Sequence, residues 1–133
     1  MDQNKQIEQL VLTCIDTAKE MLKEYKAVIP FGIRCFNDSE DMKMNCPADR
    51  MSKGSNSEVV EKVVSELKGF IGKENIFATA LVTELESGDE RGIGLQIETE
   101  QTAVLFVYPF HQQQEEWLID EPIQTEQLLN KVF

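Results

Sequence analysis

Cys35 and Cys46 bracket a stretch whose middle carries turn residues, Asn37-Asp38-Ser39-Glu40, and Met42 and Met44 alternate in step with Cys46. If this stretch closes as a hairpin around Glu40 and Asp41, the two thiols lie roughly opposite each other. Soft sulfur donors of that kind suit Cu(I), and the pair could also join as a reversible cross-strand disulfide. The tight C-x-x-C spacing of a convincing metal site is missing, however, and methionine and cysteine also serve as adaptable core filling. No metal and no other cofactor is therefore expected. Cys14 falls on the buried stripe of a helical repeat and is expected to be inert.

The single histidine, His111, follows Pro109-Phe110 at the end of an apolar strand. A catalytic histidine needs a nucleophile or an orienting acid beside it, and nothing in the sequence places one there. Paired carboxylates are plentiful: Glu84 with Glu86, Glu98 with Glu100, Glu115 with Glu116. Alternate strand positions point the same way, so Glu98 and Glu100 share a face and could raise one another's pKa if a cleft enclosed them. Exposed glutamates on a wet sheet face need no such cleft. The glycines of Gly88-Asp89-Glu90-Arg91-Gly92-Ile93-Gly94 lie between two strands rather than before a helix, which excludes a dinucleotide fingerprint and leaves a hairpin turn. With no P-loop and no Gly-x-Ser-x-Gly elbow, no catalytic residue is assigned and the chain reads as non-catalytic.

Charge is the stronger signal. Residues 84 to 133 carry eleven acidic groups against Arg91 and Lys131, net -9, whereas residues 1 to 83 carry thirteen acidic and eleven basic groups, net -2, which together give the overall -11. Such a field repels nucleic acid and anionic lipid and speeds encounter with basic partners at low salt. It also keeps a small protein in solution. No apolar run reaches the roughly 18 residues of a membrane span, and the start of the chain lacks a signal-peptide pattern, so a cytoplasmic location is expected. Three irregularly spaced cysteines suit reduced thiols better than a disulfide framework.

These residues must be positioned by a single domain of 133 residues, 41% hydrophobic and 28% charged. Ile7, Leu10, Val11, Cys14, Ile15, Ala18, Leu22 and Tyr25 recur at steps of three and four and predict an amphipathic helix over 3–27. Pro30 ends it. Strands are expected over 31–36 and 41–46, a mobile loop over about 47–56, and a second helix after Ser55, whose spacing to Glu58 forms a capping box and whose end is marked by Gly72. Strands over 75–86, 93–100 and 102–110 follow, then a short helix over 125–132. The expectation is an α+β domain: a five-stranded antiparallel sheet with both helices on one face, in the order α-β-β-α-β-β-β-α. Because Ala103 to Tyr108 is apolar on both faces, the C-terminal tail or another subunit is expected to cover it.

In element order the chain resembles the small α+β domain of type III secretion chaperones, which are short, acidic and often dimeric. Ile29-Pro30-Phe31, the strand running to Asn37-Asp38, Ala80-Leu81-Val82 and Tyr108-Pro109-Phe110 resemble a set of small uncharacterised bacterial α+β proteins across residues 29 to 110. That likeness implies a fold and carries no activity.

The functional expectation is a domain that binds another protein, a basic one, through an acidic sheet face at Glu84, Glu86, Glu98 and Glu100 with adjoining apolar surface at Phe106, Tyr108, Phe110 and Trp117. Two forms fit, an immunity-type neutraliser or a homodimeric chaperone. The alternative from another class is a small-molecule binder or minor enzyme with a pocket near Cys35, Cys46 and His111.

Overall fold

The computed structural model describes residues 3–46, 56–129 and 132–133. Two helices, α1 (Gln3–Tyr25) and α2 (Asn56–Phe70), combine with seven strands, β1 (Phe31–Phe36), β2 (Met42–Asn45), β3 (Ile76–Ser87), β4 (Glu90–Glu98), β5 (Ala103–Gln113), β6 (Glu116–Ile119) and β7 (Ile123–Thr125). The strands form one antiparallel sheet in the order β2-β1-β3-β4-β5-β6, and β7 takes the part of the last β5 edge that β6 leaves free. Among the described residues no helix is long and apolar enough to cross a membrane.

The α+β class and the hairpin from 31 to 46 agree with expectation, whereas the strand count, the closing helix and the layering do not. The sheet has seven strands rather than five. Two of them, β6 and β7, come from the segment read as a tail. The turn before β6 explains the omission: Gln114 and Glu115 carry φ of 51° and 70°, left-handed values normally supplied by Asn-Gly in a two-residue hairpin loop. Gly88, with φ of 62°, turns the β3–β4 hairpin in the ordinary way and was legible. The expected helix over 125–132 is absent from the described residues: Thr125 belongs to β7, and 126–129 and 132–133 are irregular. Residues 130–131 lie outside the described residues, as does all of the expected mobile loop except Asn56, which opens α2.

The two helices lie on opposite faces of the sheet, not on one. Phe31, Ile33 and Cys35 of β1, Ala78, Ala80 and Val82 of β3, and Ile93, Leu95 and Ile97 of β4 stand on the face packed by Leu10, Cys14, Ala18 and Leu22 of α1. The intervening residues point the other way, where Val63, Val64 and Leu67 of α2 pack on Leu81 and Val132. All six residues of β1 are consequently buried, as expected of a strand covered on both sides. Gln6 ties the start of α1 to the β1–β2 turn, its Nε2 donating to the Phe36 and Ser39 carbonyls at 3.1 and 2.9 Å.

Gly32 sets how closely α2 approaches. A Cβ there would stand 2.8 Å from Val63 Cγ1 and 2.9 Å from Leu67 Cδ1, whereas one at Gly69, near the end of α2, meets nothing within 4 Å. Gly32→Ala is expected to destabilise by about 1–3 kcal/mol through overpacking. Gly69→Ala should instead be neutral or stabilise by up to about 1 kcal/mol through helix propensity. Denaturant unfolding of the two variants checks both signs.

Candidate functional site

The residues expected to share one acidic face are divided by the sheet. Glu84 stands on the α1 side and Glu98 on the α2 side, and both serve the fold. Glu84, its side chain nearly enclosed, accepts two hydrogen bonds from Arg91, Nε to Oε2 at 2.8 Å and Nη2 to Oε1 at 2.9 Å. The same carboxylate accepts the Val28 amide at 3.0 Å, and Arg91 Nη2 also donates to the Lys26 carbonyl at 2.9 Å. Phe110 and Trp117, themselves edge to face at 5.8 Å, offer their rings to the Arg91 guanidinium at 5.0 and 5.6 Å. The hydrogen bonding of Arg91 to Glu84 is the main influence holding the guanidinium pKa above its ordinary value, opposed by burial and reinforced by the charges of Glu84 and Glu86. This cluster fastens the end of α1 to the sheet.

Glu98 is 1% exposed and Gln96 is fully buried. The Glu98 carboxylate accepts the Val132 amide on both oxygens and the Phe133 amide on Oε2, each at 3.0 Å, and Gln96 Nε2 at 2.8 Å. Gln96 Oε1 accepts the Leu129 amide at 2.6 Å. Backbone amides that a helix would have directed along its own axis are directed at two sheet side chains, which accounts for the missing C-terminal helix. The alternation of β4 was read correctly, but its polar face is dry because the tail lies over it. Glu86 and Glu100 remain exposed, at opposite ends of the sheet.

Of the expected apolar surface, Phe110 is buried in the α1 core, Tyr108 and Trp117 pack against that core while partly exposed, and Phe106, on the same side, is half-buried. Arg34 forms a third buried charge centre that sequence reasoning missed. Its Nη1 donates to Asn45 Oδ1 at 2.7 Å, its guanidinium lies 3.6 Å from the Phe70 ring centre, and its Nε is 3.1 Å from Glu74 Oε1 without hydrogen-bond alignment. A lone arginine inside an apolar strand is a signal for such a centre.

Cys35, Cys46 and His111 do not share a pocket. Cys35 pairs with Met42, not Cys46, and is buried with Cys14, whereas Cys46 is exposed. His111 lies three strands from Cys35 and nine residues farther along the sheet, roughly 30 Å. Its neighbour is Asp120, 4.0 Å from Nδ1, an exposed pair of little energetic weight. Among the described residues no group of three or more His, Cys, Asp or Glu could hold a metal ion.

What the fold leaves open is the far half of the α2 side. Leu85, Val107, Pro109, His111, Leu118 and Ile123 project there by the alternation and pairing of their strands. A groove of about 610 Å³ at this end of the sheet is lined by Pro109, His111, Asp120 and Ile123 from this side and by Arg91, Phe110, Gln112 and Trp117, and is bounded by Asp89 and Glu90. A second, of about 480 Å³, runs between Val60 and Glu61 of α2 and Leu85 and Leu128. No family model, curated protein or solved structure matches the chain.

Glu98→Ala is expected to cost about 3 kcal/mol by leaving buried donors without an acceptor, while Glu100→Ala should stay within about 0.5 kcal/mol. Denaturant midpoints measure this, and amide exchange at Val132 and Phe133 should quicken in the first variant alone. Burial pushes the Cys35 thiol up to about 11. The unfolded chain therefore loses that proton first as pH rises, and stability should fall from about pH 9 to pH 11. Unfolding free energy across this range should decline less in Cys35→Ala, which lacks this thiol and keeps only the contribution of the still more buried Cys14.

Proposed function

We propose that this chain is a non-catalytic protein-binding domain for a basic partner, of the immunity-type neutraliser kind. One observation carries the reading. Carboxylates that the fold does not consume, Glu86, Asp89, Glu90, Glu115, Glu116 and Asp120, gather around the β3–β4 and β5–β6 turns, which lie at the same end of the sheet. Arg91, the one basic residue of this half among the described residues, is engaged by Glu84, and Lys26 approaches through its backbone carbonyl. The field at this end is therefore acidic and faces water, the arrangement that steers a basic protein. A homodimeric chaperone is less favoured, because self-association would bring surfaces of one sign together.

The test is capture of partners from a native lysate by the tagged protein, washed at low and at high salt, alongside the triple variant Asp89→Lys, Glu90→Lys, Glu116→Lys. A stoichiometric basic protein should be retained at low salt, shed at high salt and lost from the variant. Equal retention by the variant would sink the acidic end as the working surface.

A further inference from the structure

We infer that the open sheet face beside α2 receives an amphipathic helix of the partner, apolar along one stripe and rich in lysine or arginine on its flanks. The inference rests on the binding reading above and names the site and the partner's chemistry. On the α2 side, Thr83, Gly94, Val107 and Ile123 form one row across the strands, and Leu85, Gly92 and Pro109 form the next. Thr83 and the two glycines are buried, with Leu85 over Gly94 and Val107 over Gly92, so the surface of the face is made by Leu85, Val107, Pro109 and Ile123. The helix α2 covers β1 and β3 and reaches β2, and the tail covers Gln96 and Glu98. Beyond them Ile123 is 61% exposed, Leu118 37% and Leu128 40%. An apolar face of this kind beside a packed helix is an unfinished layer.

Its width suits one helix. Three strands at about 4.8 Å spacing match a helix of about 10–12 Å diameter with its side chains. Charge then selects the occupant. The face is bordered by Glu61 of α2 and by Asp89, Glu90, Glu116 and Asp120 of the strand ends, all exposed. A second copy would bring the same carboxylates against one another, on a chain of net charge -11. A helix with basic flanks meets them with opposite charge while its stripe covers Val107, Leu118 and Ile123.

The probes are three synthetic 18-residue peptides: one with a leucine stripe and lysine flanks, a scrambled version of the same composition, and one with glutamate flanks. Binding to the full chain is followed by fluorescence titration and by amide shifts. The striped basic peptide should bind in the micromolar range, shift Val107, Leu118 and Ile123, and weaken about tenfold or more in Ile123→Asp. Leu128→Asp, on the other border of the face, supplies an independent variant. Equal binding of the scrambled peptide would leave charge as the only determinant and overturn the docked helix, while the salt-sensitive capture could still succeed. No binding, shifts confined elsewhere, or a dimer in sedimentation that Ile123→Asp dissolves would overturn it as well. Loss of lysate capture in the charge-reversed variant is read separately, so either reading can fail without the other.

Discussion

The architecture of the C-terminal half depends on a carboxylate that water hardly reaches. Glu98 is met only by neutral donors, two backbone amides of the tail and the side-chain amide of Gln96. Such a group is costly to bury and more costly to strip of partners. It therefore holds the tail in place together with the apolar packing of Leu129, Val132 and Phe133. With the tail fixed, Leu81 and the inner side of α2 are closed from water, and the boundary of the α2 layer is set. The uncovered rows beyond it follow from where that boundary falls.

Carboxylates in this chain divide into two populations that composition cannot separate. Glu84 and Glu98 are held by geometry, one against a guanidinium and two rings, the other against amides. Glu86 and Glu100 lie two residues away on the same strand or just beyond its end and face solvent. Nothing in the alternation of β3 or β4 distinguishes the members of each pair, because the difference comes from elements distant in sequence. Arg91 is the exception. A basic residue inside an acidic strand pair signals a buried partner, and Glu84 is that partner.

The helices, the hairpin and the meander from Ile76 to Phe110 were readable because each shows its own period: three to four in α1 and α2, two in β4, and turn residues between. The edge strands were not, since β6 has four residues and β7 three, and the turn before β6 uses Gln114 and Glu115 where a glycine would have announced it. Which face a helix covers was equally hidden. Gly32 and Arg34 alternate with Ile33 and Cys35, but only contact with α2 on one side and α1 on the other shows that β1 is buried twice. Of the residues expected to form a binding surface, Glu86 and Glu100 are exposed, Phe110 is in the core, and Tyr108 and Trp117 lie partly buried against it.

Strand order also carries a temporal meaning. From β3 to β6 each strand pairs with its neighbour in sequence across loops of two to four residues, so this meander can form through local contacts. In contrast, β1 pairs with β3 across a helix and a long connection, with Ile33 opposite Ala80. Closing that distance costs chain entropy before any contact rewards it. The meander is thus the template, and α1 with its strand docks onto a face already built. Until it does, the apolar side of β4 and β5 stands open to water, which makes the interval before docking the moment at which this chain is most exposed to aggregation.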